Sequence, residues 1–129
     1  MQKPFFSIVV VSLNPGERLK NTLDSILKQT YTDYEVILKD GGSTDGNLQE
    51  LLDIGYFENK NQIKIIQKQD KSIYDGMNQA VQELNGRYVQ FLNCGDYFYS
   101  DTVLEEVARF IIEDRKESLT NTKESDEFE

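Results

Sequence analysis

Four short apolar runs, each followed by a polar turn and then by apolar residues at helical spacing, set the main constraint on this chain. Phe6–Ser12 is β-branched and nearly continuous, as a strand buried on both faces requires. Leu19, Leu23, Ile26 and Leu27 then recur at the period of a helix. Residues 34–39 form a second strand, and Leu48, Leu51 and Leu52 mark a short helix broken near Gly55. Residues 62–67 are a third strand. Residues 72–84 read as a helix with Ile73, Met77, Ala80, Val81 and Leu84 as its apolar stripe, stopped by Asn85-Gly86. Residues 87–93 and 102–112 supply a fourth strand and a fourth helix. This alternation predicts an α/β fold: a mostly parallel sheet with helices on both faces.

The helix boundaries carry their own signals. Asn14, Pro15 and Glu17 fit the N-cap, N1 and N3 positions of the first helix. Asp45 or Ser43 suits the cap of the second, Ser72 with Asp75 a capping box for the third, and Asp101 the cap of the fourth. The domain boundary is expected near residue 114. From 113 onward the chain holds seven acids against three bases, and 115–129 reads as an acidic, flexible tail.

Composition removes several classes of chemistry. A chain of 129 residues fits one domain. Its net charge of −9, with no Lys/Arg cluster, argues against nucleic acid as a general partner. There is no His and a single cysteine, Cys94, so His/Cys zinc sites, an intramolecular disulfide and a Ser-His-Asp triad are all excluded within the chain. Acid–base work falls to carboxylates, Lys or Tyr. A metal would need oxygen ligands, which points to Mg²⁺ or Mn²⁺. No run reaches the roughly 18 apolar residues of a membrane helix, and the N-terminus lacks a signal-peptide pattern. A cytoplasmic location is expected.

In a parallel sheet all strand carboxyl ends meet at one edge, where α/β folds bind ligands. The four strands bring Ser12 and Asn14, then Asp40 with Gly41 and Gly42, then Asp70 and Lys71, then Asn93, Gly95 and Asp96 to that edge. Such a set suits a nucleotide accompanied by a hard cation. Each residue also has a plainer reading. Asn14 and Asp70 can cap helices, Asp40 can stabilise its own turn, Lys71 can be a solvated charge, and Cys94 a small buried filler. Asp96, after a glycine at the end of a buried strand, makes the strongest functional claim.

Four segments carry a family resemblance. They are Ser7 to Asn14, the turn Asp40-Gly41-Gly42-Ser43-Thr44-Asp45-Gly46, the helix entry Asp70 to Asn78, and Phe91-Leu92-Asn93-Cys94-Gly95-Asp96. In order and spacing they resemble the N-terminal, nucleotide-sugar-binding half of a family 2 inverting glycosyltransferase of the GT-A fold, over roughly residues 5–112. The resemblance implies a donor that is a uridine diphosphate sugar. Asp40 would bond the base, Ser12 and Asn14 would line the base pocket, Asp70 and Lys71 would lie near the base or the diphosphate, and Asn93 would belong to the same nucleotide-sugar site. Asp96 would hold Mg²⁺ or Mn²⁺. The acceptor would be a glycan or lipid-linked hydroxyl, with peripheral placement at the inner membrane where the acceptor is lipid-linked.

The sequence departs from that pattern in three places. The acidic metal motif is reduced to Asn93-Cys94-Gly95-Asp96, with one carboxylate. Ser72 stands where the helix entry usually has Gly. The chain stops after its fourth βα unit, before the strands that carry the catalytic base in the family, so the base is unassigned. A truncated sheet is expected to expose an edge and to self-associate. A non-catalytic nucleotide-binding or interaction domain is the competing reading. A dinucleotide-binding domain would need G-x-G-x-x-G where Ser12 to Gly16 stands. A receiver-like signalling domain would need paired acids after the first strand.

Overall fold

The computed structural model describes residues 3–125, with side chains through Lys116. Strands and helices alternate as β1 (Phe6–Ser12), α1 (Arg18–Leu27), β2 (Tyr34–Asp40), α2 (Asn47–Asp53), β3 (Ile63–Gln67), α3 (Ile73–Val81), β4 (Tyr88–Asn93) and α4 (Val103–Ser125). The sheet order is β3-β2-β1-β4, with every neighbouring pair parallel. Registers Ser12↔Asp40, Asp40↔Gln67 and Val11↔Asn93 align the carboxyl ends of all four strands.

The period-2 alternation of the strands sorts the core into two layers. Ile8, Val10, Val36, Leu38 and Leu92 pack against Leu19, Leu23 and Ile26 of α1, Leu48 and Leu51 of α2, and Leu104 and Ala108 of α4. Val9, Val11 and Ile37 face the other way, against Met77 and Ala80 of α3. Every residue of β1 is buried, as its unbroken apolar run requires. Full burial of side chains such as Leu23 or Ile26 contributes about 1.5–3 kcal/mol each. Helices therefore cover both faces, three on one and α3 alone on the other. Because α3 packs over β1 and β2, the face of β4 on that side stays uncovered, with Val89 42% and Phe91 39% exposed, and β4, terminal in the sheet among the described residues, has an open edge.

Several helix ends differ from expectation. Asn14 does not cap α1, which begins at Arg18 with no side-chain bond from Glu17 at its N-cap. Asn14 instead takes a left-handed φ of 46°. Its Oδ1 accepts the N–H groups of Thr44 (2.7 Å) and Asp45 (3.1 Å). Loop-to-loop bonding wins here because those two amides have no helical partner, whereas the first amides of α1 sit among exposed residues that water can serve. Gly46, at φ 81°, occupies the N-cap position of α2, and Asp45 Oδ1 accepts the N–H of Asn47 from one residue further out. Ser72 caps α3 as expected, while Asp75 reaches back to the N–H of Lys71 instead of Ser72. The helix stops at Val81, and Val81 (46%) and Ile73 (56%) of its expected apolar stripe are exposed.

Asp101 gives way to Gln29, whose Oε1 accepts the N–H of Leu104 while its Nε2 donates to Ser100 O. The backbone of α4 stays helical to Ser125, so the expected boundary at 114 falls inside the helix. Residues 126–129 of the expected tail lie outside the described residues.

Candidate functional site

At the carboxyl edge a pocket of about 430 Å³ opens where the sheet order reverses, between β1 and β4. Val11, Ser12 and Leu13 leave β1 on one side, and Asn93 and Cys94 leave β4 on the other. Asp70, Lys71, Ser72 and Ile73 of the β3–α3 loop form a second wall, and Arg18 of α1 a third. Ser12, Asp70, Lys71 and Asn93, chosen from sequence, thus converge. Asn14, Asp40 and Asp96 are at the same edge but outside the lining.

Each of those three has its own surroundings. Asn14 ties the β1–α1 loop to the β2–α2 turn. Asp40 is 4% exposed, and its carboxylate accepts the Ser43 hydroxyl (2.5 Å) and the N–H groups of Ser43 (2.9 Å) and Gly42 (3.2 Å). This is the turn-stabilising reading, with Asp40 holding the Gly-rich turn in shape. Asp96 is exposed, and its turn is fixed from behind by Thr22 of α1. The Thr22 hydroxyl donates to Asp96 O (2.8 Å) and accepts the Gly95 N–H (2.9 Å).

Asp70 sits in a niche that two glycines make possible. A Cβ on Gly41 or on Gly76 would come within 2.7 or 2.8 Å of Asp70 Oδ2. Lys39, invisible to the sequence reading as a site residue, closes the niche from below. Its ammonium is fully buried, lies 3.0 Å from Asp70 Oδ2, and also donates to Asp40 O and Lys68 O. A charge inside an otherwise apolar strand was the available signal. Arg18 was also missed, because as the first helical residue it reads as an ordinary surface cation.

The Ser12 hydroxyl is buried and, among the described residues, makes no hydrogen bond of ordinary geometry. Beside it Cys94 is half-buried, and burial pushes its thiol up against smaller opposing effects of Ser12, Thr22 and the Arg18 charge. Among the described residues no three His, Cys, Asp or Glu side chains converge as metal ligands. One exposed carboxylate outside the lining does not fit a protein-built Mg²⁺ or Mn²⁺ centre.

The family model for glycosyl transferase family 2 matches residues 7–126. The chain belongs to glycosyl transferase family 2. A PGL/p-HBAD biosynthesis glycosyltransferase of Mycobacterium bovis is 39% identical over 122 residues, which are 92% of this chain and 46% of that protein. The chain thus spans about half the length of such a relative. Chondroitin synthase of Escherichia coli is 32% identical over 100 residues, 78% of this chain and 14% of the synthase. Among solved structures, TarS 1–349 of S. aureus in complex with UDP-GlcNAc superposes with a TM-score of 0.75 at 28% identity, covering 84% of this chain and 31% of that one. A mannosyltransferase of Pyrobaculum calidifontis, in complex with GDP-Man and Mn²⁺, shares the fold with a TM-score of 0.69 at 18% identity, over 78% of this chain and 30% of that one. The four-stranded parallel sheet with flanking helices is therefore the GT-A type of architecture expected for family 2.

Proposed function

We propose that this chain forms the donor-binding part of a glycosyltransferase that takes a sugar from a nucleoside diphosphate sugar, with uridine diphosphate as the carrier. The observation that carries the reading is the pocket at the point where strand order reverses between β1 and β4, built from the carboxyl ends of both strands. Nucleotides bind parallel sheets at that position because successive loops diverge there and leave a crevice. The resemblance to a structure holding UDP-GlcNAc supports uridine over guanosine.

In this reading Ser12 and Asn93 bond the donor from the two strand ends, and Asp70 and Lys71 from the loop wall. The Ser12 hydroxyl, buried without a hydrogen bond of ordinary geometry, gains one when the pocket is filled. The reaction is a displacement at the anomeric carbon. An acceptor hydroxyl of a glycan or lipid-linked glycan forms the new C–O bond, the bond to the diphosphate breaks, and configuration inverts. The hydroxyl proton passes to a carboxylate base that we assign to no described residue. Because the donor set does not fit a resident metal, no step runs through one. The chain would work in the cytoplasm, peripheral to the membrane where the acceptor is lipid-linked. No described helix is long and apolar enough to cross it. Self-association through the open β4 edge belongs to the same reading, and sedimentation showing one concentration-independent monomer would exclude it.

Calorimetric titration of UDP, UDP-GlcNAc and GDP into the chain tests the donor assignment. Saturable binding of UDP, weakened by Asp70→Asn or Lys71→Ala, supports it. Preference for GDP changes the carrier. Silence from all three, in protein with an intact helical spectrum, removes the nucleotide-sugar reading.

A further inference from the structure

We propose that Arg18, together with Lys71, supplies the positive charge that meets the donor diphosphate, and that donor binding in this chain is independent of a divalent cation. The proposal rests on the nucleotide-sugar reading above.

The pocket holds two cations in a chain of net charge −9. Arg18 enters from α1 and Lys71 from the β3–α3 loop, and the one carboxylate in the lining, Asp70, is offset by the buried Lys39 ammonium 3.0 Å away, so an anion in the pocket meets net positive charge. Arg18 is held in place at one point. Its Nε donates to Pro15 O at 2.9 Å. Its terminal nitrogens make no hydrogen bond or ion pair among the described residues. The side chain of Lys71 is likewise unpartnered there. A guanidinium anchored through Nε still presents two terminal nitrogens, the fork that matches two phosphate oxygens.

The position of Arg18 is what excludes the metal. A methyl placed on Gly95 would lie 3.3 Å from Arg18 Cδ and 3.8 Å from its Nη1. The guanidinium therefore runs along the turn that carries Asp96, the place where a divalent cation is expected from the resemblance. Gly95 has a φ of 107° and no side chain. A second acidic residue at that position would be strained by the backbone and crowded by the arginine. One turn cannot favourably hold both a fixed guanidinium and a divalent ion beside a single exposed carboxylate, because the like charges repel and only one carboxylate offsets them. The buried Ser12 hydroxyl lines the same pocket and adds a neutral donor for a phosphate oxygen.

The test is calorimetric titration of UDP, UMP and uridine into the full chain, in EDTA and in Mn²⁺. UDP affinity in EDTA is expected within about threefold of that in Mn²⁺. Arg18→Ala is expected to weaken UDP by about tenfold or more, the scale of a lost charge-assisted pair, while uridine changes by less than about twofold. Arg18→Lys should recover part of the loss, since charge returns without the fork. Lys71→Ala should act in the same direction. The proposal fails if UDP binds only with Mn²⁺, whatever Arg18→Ala does. It also fails if Arg18→Ala weakens uridine as much as UDP, because the arginine would then be shaping the pocket instead of holding phosphate. If folded protein binds no nucleoside diphosphate, the donor reading falls and the proposal falls with it. UDP binding in both media that ignores Arg18 keeps the reading and rejects the proposal alone.

Discussion

Lys39 Nζ lies 3.0 Å from Asp70 Oδ2, and the lysine side chain is fully buried. The pair joins the carboxyl end of β2 to the loop that forms one wall of the pocket. A buried ammonium is tolerable only with its bonds made, and here Asp40 O and Lys68 O complete them. Lys39→Met should leave Asp70 charged and short of its partner. We expect a loss of about 3–5 kcal/mol, read from urea unfolding, and a double variant with Asp70→Asn that recovers part of it. Additive losses would mean that the two residues do not act as a pair.

Gly76 tests the same niche from α3. Alanine in a helix interior ordinarily stabilises by about 1 kcal/mol over glycine. Here the new methyl would meet Asp70 Oδ2 at 2.8 Å, on a short side chain that Lys39 holds in place. Gly76→Ala should therefore destabilise by about 1–2 kcal/mol. In an Asp70→Ala background the same change should become stabilising. An unchanged sign would show that the carboxylate is not the obstacle.

Thr22 and Asp96 are linked across 74 positions of sequence. Thr22→Val keeps the shape and removes both the donor to Asp96 O and the acceptor for Gly95 N–H. Two part-buried backbone groups losing their partner should cost about 1 kcal/mol. The Gly95 amide should also exchange with deuterium faster, while the amides of β1 keep their protection. Unchanged exchange at Gly95 would free the turn from Thr22.

At the opposite edge of the sheet, Glu35 contributes to the dependence of stability on acid. Burial alone would raise its carboxyl, but the Ser7 hydroxyl, the backbone and side-chain N–H groups of Asn85 and the Gly86 N–H outweigh it and hold the carboxyl below its ordinary range. A depressed folded-state value means the contribution is complete above the unfolded value, about 4.3 for Glu, and is lost as pH falls through the folded one. Thermal melts of Glu35→Gln and the parent should thus differ at pH 7 and converge as pH drops below about 4. A gap that stays constant down to strong acid would count against this.

Much of the fold was legible along the chain. The unbroken apolar run of β1 announced a central strand, and the helical stripe of Leu19, Leu23 and Ile26 announced the helix that covers it. Parallel pairing then placed Ser12, Asp70, Lys71 and Asn93 at one edge, and the pocket unites them. The cap assignments of Asn14 and Asp101 failed because local pattern ranks residues only by what neighbours in sequence could receive. Asn14 found better acceptor work 30 positions away at Thr44, and Gln29 reached 75 positions to Leu104.

The sequence by itself determined the alternation of elements, the parallel sheet and which strand ends would converge, because these follow from residue periodicity and from the direction of the chain. Tertiary structure alone decided that Lys39 would be buried under Asp70, that Gly41 and Gly76 would yield space to that carboxylate, and that Arg18 would lie along the Asp96 turn. Those outcomes depend on which elements stack on which face. Buried charge and close approach are properties of a packed interior, and no local window of sequence contains both partners.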